Sequence, residues 1–298
     1  MTYQLPILFQ HPTCEGWILS KNHPTQGRRF VNARAELNKK AIRQKLAFME
    51  LAPSPVSIKE LGLIHTSRYI EELVNGFTNE WEGCREDLTA IARHMAGGSV
   101  EGVRALIRGE TKLAINFGGD KHHAMADYSS GFCTIADFAI SAEIATMAGF
   151  RVAIFDCDVH HGDGTEALLK YNPDVLTFSV HQYGIFPNTG LDSDPMYNIY
   201  NYPLGEGHGD KDLKDAGALF IKTAKTFEAD MIFIACGADG LADDPLGGLV
   251  YTVNGYSDTM FAIRKAFPDT PILFGGAGGY LPDTGTPDVW SESALALF

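Results

Sequence analysis

The sequence predicts an α/β fold, a single domain whose mainly parallel central sheet is covered by helices on both faces. From Lys112 onward, short apolar runs alternate with amphipathic stretches, which is the pattern of repeated βαβ units. No internal repeat, low-complexity run or linker divides the chain. We therefore expect residues 1–298 to form one domain.

The predicted strands are short and apolar, and amphipathic stretches separate them. We predict strands at residues 113–116, 152–155, 175–180, 231–236 and 272–274. We predict helices at residues 100–108, 138–148, 165–171, 213–227 and 254–266. Nearer the start, we predict a helix over residues 38–51, ended by Pro53 and Pro55, and an N-cap at Thr66-Ser67 before a helix over residues 69–74.

Composition and charge restrict the class of protein. The chain is 45% hydrophobic and 20% charged, as is usual for a globular protein. Its net charge of −13 argues against nucleic acid as the main partner and is compatible with a cationic substrate or with an ordinary acidic cytoplasmic protein. We expect no membrane association, because no apolar run could span a bilayer and the start lacks a signal pattern. The five cysteines include no C-x-x-C pair and suit a reducing, cytoplasmic compartment.

The densest chemistry of the sequence lies in residues 156–164. This stretch reads Asp-Cys-Asp-Val-His-His-Gly-Asp-Gly and follows a predicted buried strand. Residues two apart on an extended strand point the same way, so Asp158 and His160 can converge on a metal ion. The alternative is a set of capping and salt-bridging residues at a helix start. Because no Lys or Arg lies nearby to neutralise the carboxylates, we favour the metal site.

Polar clusters follow the other predicted strands as well. They are residues 118–124, Ser179 with His181, residues 237–239, and the glycine-rich run 275–280 that ends in Tyr280. The carboxyl ends of parallel strands lie along one edge of a sheet. The clusters therefore predict a catalytic crevice at that edge.

Together these motifs resemble those of the histone deacetylase superfamily. This zinc-dependent group also contains bacterial acetylpolyamine amidohydrolases and acetoin utilization proteins. By this resemblance, the chain is identified as a bacterial-type member. The matching segments stand in family order: His-His-Ala at 122–124, Gly-Phe-Cys at 131–133, the stretch 156–164, Phe-Pro-x-Thr-Gly at 186–190, Gly-Ala-Asp at 237–239, Asp-Pro-Leu-Gly-Gly at 244–248, and Gly-Gly-Tyr at 278–280. The resemblance implies an arginase/deacetylase-like form of the predicted fold and a histone-deacetylase-like catalytic domain.

The resemblance implies a role for each matching residue. Asp158, His160 and Asp239 match the ligands of one catalytic zinc ion. The catalytic set comprises the tandem histidines His122 and His123, the carboxylates Asp156 and Asp163 that orient them, and Tyr280. In the family the second histidine is general base and then general acid, and the tyrosine hydrogen-bonds the carbonyl oxygen as it becomes an oxyanion.

Two further sets of residues follow from the resemblance. Gly131, Phe132 and Phe186 match the lining of a narrow substrate tunnel, although without the motifs the two phenylalanines would be read as core aromatics. A structural potassium ion is expected at Asp156, Asp158, His160, Ser179 and the carbonyl of Val180.

The sequence departs from the family at several positions. Asp120 and Lys121 stand between Gly-Gly and His-His where one residue is usual, and we expect them to add charge at the mouth of the site. Ala277 interrupts the glycine run, and Asp243 stands where glycine is common. The family often grips the substrate backbone with an early acidic residue. The candidates are Glu80, Glu82, Glu86 and Asp87, and the sequence does not select among them.

The expected activity is removal of acetyl or other acyl groups from acylated lysine. The same chemistry on an acetylpolyamine is the close alternative; the absence of a long insertion slightly favours peptides. A non-catalytic acyl-lysine-binding module and an arginase-like ureohydrolase with two manganese ions are further alternatives. Gly237 stands where the second metal would require a carboxylate, which favours one metal. Acyl-chain preference and oligomeric state stay open.

Overall fold

The fold is built on one sheet, seen in a computed structural model that describes residues 4–298. The strands are β1 (Ile7–Phe9), β2 (Met49–Leu51), β3 (Leu113–Asn116), β4 (Val152–Asp156), β5 (Val175–Gln182), β6 (Ile199–Leu204), β7 (Met231–Ala235) and β8 (Ile272–Gly275). All eight are parallel, in the order β2-β1-β3-β8-β7-β4-β5-β6. The sequence prediction of an α/β fold with a parallel sheet is confirmed.

Helices cover both faces of the sheet. They are α1 (Arg28–Gln44), α2 (Ile58–Leu61), α3 (Ser67–Val74), α4 (Glu86–Ile107), α5 (Asp137–Met147), α6 (Asp163–Leu169), α7 (Asp210–Thr226), α8 (Val253–Ala266) and α9 (Gly285–Leu295). Alternate strand residues enter two separate cores: Ala153 and Phe155 enter one, and Val152 and Ile154 enter the other. Helices α7, α8, α9 and α1 pack in succession, as do α4, α5 and α6.

Most predicted elements agree with the structure to within a few residues. All five predicted strands are present, and the predicted helices after residue 130 correspond to α5, α6, α7 and α8. The helix predicted over residues 100–108 is the last part of the longer α4. The N-cap prediction also holds, because the Thr66 side chain accepts a hydrogen bond from the Tyr69 N–H at the start of α3.

The helix predicted over residues 38–51 is confirmed for residues 38–44 and wrong beyond them. Helix α1 begins at Arg28 and ends at Gln44, and Met49–Leu51 form strand β2 instead. Lys45 ends the helix in the left-handed region (φ 57°), where its N–H bonds to the carbonyls of Ala41 and Ile42. Glycine usually occupies such a position, so the sequence carried no stop signal there.

The strand order leaves a crevice at the carboxyl edge of the sheet. The chain leaves β3, crosses through α5 and re-enters at β4, and β8 and β7 later fill the gap between the two. A reversal of strand order of this kind is where ligands bind in open α/β sheets. Within residues 4–298, none of the helices combines the length and apolarity that a membrane span requires.

The buried aromatic cluster between the sheet and α7 provides a test of the packing. The Phe155 ring lies 4.9 Å from that of Phe220 and 6.0 Å from that of Phe178, centroid to centroid. We expect Phe155→Ala to lower the free energy of unfolding by about 3–5 kcal/mol, because it leaves a cavity in a closed core. Urea denaturation followed by fluorescence measures this. Tyr171→Ala, at a side chain that is 77% exposed, is the control and should change stability by less than about 0.5 kcal/mol; equal effects would contradict the packing.

Candidate active site

The sequence-predicted residues meet at the carboxyl edge of the sheet. His122 and His123 follow β3, Asp158 and His160 follow β4, Ser179 lies on β5, Asp239 follows β7 and Tyr280 follows β8. The convergence results from the parallel arrangement, which turns all these strand ends the same way.

Asp158, His160 and Asp239 form a buried cluster with the geometry of a metal site. Their candidate ligand atoms lie within 4.8 Å of one another. His160 Nδ1 is 3.0 Å from Asp158 Oδ1 and 3.2 Å from Asp239 Oδ2. Both carboxylates are fully buried. The second oxygen of each is fixed by a backbone amide, since the Gly278 N–H donates to Asp158 Oδ2 and the Val159 N–H donates to Asp239 Oδ1.

This cluster fits a bound cation. Asp239 Oδ2 is buried and has no hydrogen-bond partner among the described residues. Burial by itself lowers the pKa of His160, but the carboxylates of Asp158 and Asp239 outweigh it and raise that pKa to about 10. Burial and the charge of Asp158 raise the pKa of Asp239 to about 7. Both shifts arise from two carboxylates held close together away from water, a charge that a bound cation would compensate. One nitrogen and two carboxylate donors are a ligand set that zinc accepts, with room for water or substrate.

Glycines let the backbone approach these carboxylates closely. A Cβ added at Gly237 would lie 2.2 Å from Asp158 Oδ2, and one added at Gly278 would lie 2.1 Å from Asp239 Oδ2. Neither position can carry a side chain unless the carboxylates move. The glycine-rich segments therefore set the spacing of the two acidic side chains.

Each of the tandem histidines has its own carboxylate partner. His122 Nδ1 lies 2.8 Å from Asp156 Oδ2, and His123 Nδ1 lies 2.6 Å from Asp163 Oδ1. Both imidazoles are buried, with ring centroids 4.0 Å apart. Burial lowers the pKa of His122, but Asp156 and Asp158 outweigh it and raise that pKa well above its usual value. Burial and the charge of His122 lower the pKa of His123 to about 4, so the second histidine is neutral.

Tyr280 is held at the edge of the site by its backbone and its ring. Its N–H donates to Asp244 Oδ2 (2.7 Å). The guanidinium of the buried Arg29 lies 5.7 Å from the centre of its ring and donates to the Gly279 carbonyl. Arg29 and Asp244 are two supporting residues whose function the sequence did not indicate. Arg29 comes from helix α1, which carries no motif, and Asp244 lies in a recognised motif without an assigned role.

A cavity of about 450 Å³ leads from the surface to these groups. Its lining consists of Glu80, His123, Gly131, Phe132, His160, Ile185, Phe186, Leu246 and Tyr280. The alternative of two core aromatics is wrong, because Phe186 is 45% exposed and Phe132 is partly exposed. The Phe186 ring lies 4.9 Å from that of His123, and the Phe132 ring lies 6.2 Å from that of Tyr280.

Among the four acidic candidates of the early loop, Glu80 is the one that lines the cavity. Its Oε2 accepts a hydrogen bond from the Phe132 N–H (3.1 Å). Burial raises the pKa of its carboxyl. Glu86 and Asp87 instead begin helix α4.

Asp120 and Lys121 lie on the inner side of the site, so the expectation that they add charge at its mouth is wrong. Asp120 is 1% exposed and Lys121 is 8% exposed. Their backbone N–H groups both donate to the buried Asp137 carboxylate, at 2.9 and 2.8 Å. This double contact turns the loop inward, with Asp120 in the left-handed region (φ 60°). Asp120, His122 and Asp156 form a second group of side chains close enough to hold a cation.

The remaining predicted residues are buried and contact neighbouring side chains. Asp156 and Ser179 are neighbours in the register of β4 and β5, and both are buried. Val180 is buried beside them. His161, which the sequence left without a role, lies 2.8 Å from Thr189 and 3.0 Å from Glu166 through its two ring nitrogens.

Comparisons with known proteins agree with this architecture. A family model described as "Histone deacetylase domain" matches residues 23–297. Histone deacetylase 6 of Arabidopsis thaliana is 28% identical over 91% of this chain and 62% of that protein, and histone deacetylase 8 of Xenopus laevis is 29% identical over 78% of each. Histone deacetylase 9 of Arabidopsis thaliana is 32% identical over 74% of this chain and 57% of that protein. The chain thus spans about three fifths of the two Arabidopsis relatives.

The overall fold is also similar to a solved structure. The crystal structure of the HDA15 HD domain superposes with a TM-score of 0.85 at 23% identity, covering 99% of this chain and 90% of that one. At this identity the similarity concerns the fold.

The role of the acidic cluster can be tested by metal titration. We expect Asp239→Asn to weaken zinc binding by more than the roughly 10–100-fold that loss of an outer-shell partner costs, because it removes a charged ligand. Competition with a chromophoric chelator measures the affinity. Asp243→Asn, on the same loop but exposed, is the matched control and should bind zinc like the unmodified protein. Equal affinity of the two variants would contradict the ligand assignment.

Proposed function

The chain belongs to the histone deacetylase family, and we propose that it is a zinc-dependent amidohydrolase that removes acetyl or other acyl groups from the side-chain amine of acylated lysine. The observation that carries the proposal is the convergence of His123, His160 and Tyr280 on one cavity. A proton-transferring imidazole, a metal ligand and a phenol hydroxyl are the groups that hydrolysis of an amide requires.

Asp158, His160 and Asp239 would hold the zinc ion. Bound there, zinc would polarise the amide carbonyl and lower the pKa of the attacking water. The two carboxylates balance the charge of a divalent ion, so the protein needs no further anion at this place.

His123 moves the proton in the proposed reaction. Its Nδ1 is engaged by Asp163, which leaves Nε2 to exchange a proton. Since its pKa is low, the imidazole is neutral and can accept a proton from the attacking water. It then returns that proton to the nitrogen of the leaving amine, which departs poorly without one. His122, whose Nδ1 faces Asp156, acts as an electrostatic partner.

Tyr280 donates a hydrogen bond to the carbonyl oxygen as that oxygen gains negative charge. Its backbone contact with Asp244 and the packing of Arg29 against its ring fix its position. A donor fixed before the reaction need not reorient during it. Gly131, Phe132 and Phe186 would enclose the methylenes of the lysine arm.

A small cationic substrate such as an acetylpolyamine is the second candidate. Glu80 favours it, since this carboxylate lines the cavity beside the aromatic walls. The net charge of −13 also favours a cationic substrate. In the peptide case, Glu80 would instead accept a backbone N–H of the substrate.

The two remaining alternatives have less support. A non-catalytic module would not need the complete set of His123, Tyr280 and metal ligands. An arginase-like centre needs a second metal, and Gly237 has no room for the bridging carboxylate. Asp120, His122 and Asp156 could still contribute a second site, so metal stoichiometry is informative. One zinc per chain is expected, and two manganese ions would contradict the mechanism.

We further propose the remaining features expected from the sequence. Potassium would bind at Asp156, Asp158, His160, Ser179 and the carbonyl of Val180. Residues 1–298 would form one catalytic domain, supported by the continuous sheet of residues 4–298 and the family match over 23–297. The five free cysteines support a reducing location such as the cytoplasm.

A panel of substrates tests the proposed activity. We expect zinc-dependent hydrolysis of acetyl-lysine peptides with higher kcat/KM than of acetylpolyamines. Glu80→Gln should raise KM for an acetylpolyamine by about tenfold or more if this carboxylate pairs with an ammonium group, while a peptide amide can still bind the glutamine. Glu82→Gln, on the same loop but outside the cavity lining, is the control. No hydrolysis of either substrate class would contradict the proposed activity.

Removal of one hydroxyl group tests the role of Tyr280. We expect Tyr280→Phe to retain zinc while kcat falls about 10²–10³-fold, because the oxyanion loses its donor. Steady-state hydrolysis of an acetyl-lysine peptide and metal analysis of the same samples measure both quantities. Tyr183→Phe, at an exposed tyrosine outside the cavity lining, is the matched control and should retain full activity. An active Tyr280→Phe enzyme would refute the assignment.

A further inference from the structure

A second, smaller cavity adjoins the first on its buried side and is called the inner cavity here. It holds about 20 Å³, which is room for about one water molecule. His123, Gly131, Phe132 and Tyr280 line both cavities. The inner cavity therefore begins where the outer one ends, at the groups proposed to act on the amide. The additional lining residues of the inner cavity include Arg29, Asp120, Lys121 and Cys133.

The lining of the inner cavity carries two buried cationic side chains. Arg29 is 3% exposed and Lys121 is 8% exposed. Arg29 donates to the Gly279 carbonyl, but its Nε has no partner among the described residues. Lys121 forms no ion pair with a carboxylate in the described chain. Burial and the charge of Arg29 lower the pKa of its ammonium group, and Asp137 and Asp120 oppose this from a distance. A water molecule in this small cavity would be the remaining hydrogen-bond partner for the Arg29 Nε–H and the Lys121 ammonium group.

The loop that carries Lys121 is fixed. The Asp137 carboxylate binds the backbone N–H groups of both Asp120 and Lys121, and it also accepts a hydrogen bond from the buried Ser99 hydroxyl. On the facing side, a Cβ added at Gly131 would lie 2.4 Å from His123 Cδ2. The cavity is thus bounded by close backbone contacts, and it cannot widen without breaking them.

We propose that Lys121 restricts the substrate to short acyl groups, so that the enzyme removes acetyl and discriminates against longer alkyl chains. This inference rests on the proposed deacylase function. The lysine arm of the substrate would occupy the outer cavity, and the alkyl end of the acyl group, beyond the carbonyl carbon, would then enter the inner one. A methyl group fits a space of one water molecule.

A longer chain has two physical costs in this cavity. It needs volume that the fixed loop does not provide, and overpacking a closed site is unfavourable. It also displaces the water near Arg29 and Lys121 and sets hydrocarbon against buried charge without a compensating hydrogen bond. The second cost depends on the charge of Lys121, which separates this residue from the neutral lining residues.

A series of acyl-lysine peptides, from acetyl through butyryl and hexanoyl to octanoyl, tests the proposal on the zinc-loaded enzyme. We expect kcat/KM to fall at least about 100-fold from acetyl to octanoyl, since one methylene in a closed pocket changes it by about 10-fold or more. Lys121→Met keeps the length and removes the charge, and it should reduce this ratio at least about tenfold. Lys121→Arg retains the charge and should keep the preference. Lys211→Met, at an exposed helix position, should behave like the unmodified enzyme.

The outcomes separate the two proposals. Because each variant is judged by the ratio of two substrates, a general loss of activity does not imitate the effect. Equal hydrolysis of acetyl and octanoyl peptides by the unmodified enzyme would overturn the restriction while leaving the deacylase function intact, and this measurement needs no variant. An unchanged ratio in Lys121→Met would overturn the role of the lysine. No hydrolysis of any peptide in the series would overturn the function and the inference together.

Discussion

Three carboxylates are buried at one edge of the sheet, and the other groups of the site are arranged to compensate for their lost hydration. Asp156, Asp158 and Asp239 are at most 5% exposed. A carboxylate in such a place is stable only if hydrogen bonds or opposite charge compensate for the lost solvent. The structure supplies backbone N–H groups, histidines and the geometry for a cation. The acidic cluster and the imidazoles are therefore parts of one electrostatic arrangement, in which no member can be charged independently of the others.

The parallel sheet makes this arrangement possible. Strands β3, β4, β7 and β8 each lead into a loop that carries polar residues of the site, and β5 contributes Ser179 from within the strand. Supporting contacts come from the helices behind the edge. Asp137 begins α5 and holds the loop before the histidines, while Arg29, near the start of α1, supports the loop of Tyr280. Helices that carry no recognisable motif thus determine where the reactive groups lie.

The sequence predicted the centre of the sheet well and its edges poorly. The buried strands β3, β4, β5, β7 and β8 are apolar runs between helical patterns, so periodicity identifies them. Strand β2 is exposed at all three residues, β1 is only three residues long, and β6 contains Pro203. Strands β2 and β6 lie at the two edges of the sheet, where a strand needs little apolar surface and tolerates proline. Strand β1 is buried between β2 and β3, but three residues are too few to show a strand pattern. Helix α1 ends at Lys45, where backbone hydrogen bonds and not residue type determine the stop.

The same distinction holds within the site. Asp158 and His160 lie two residues apart and His122 and His123 are adjacent, so spacing predicts these two pairs. Asp239 lies far away in the chain and was assigned through the family resemblance. Arg29 approaches the site from helix α1, and Glu80 and Asp244 approach it from distant loops. No local sequence pattern indicates such long-range contacts. The direction of Lys121 could not be foreseen either, because it depends on the hydrogen bonds that Asp137 makes with the preceding loop.

Gly237 and Gly278 show that a position without a side chain can tolerate as few substitutions as a position that takes part in the reaction. Each lies so close to a carboxylate oxygen that even a methyl group would collide with it. In a survey of all single substitutions, both positions would tolerate as little as Asp158 or Asp239. A map of inactivating mutations would then mark them as chemical participants. Their contribution is to leave space for the carboxylates. Only the distances to neighbouring atoms distinguish a position where no side chain fits from a position whose functional group is required.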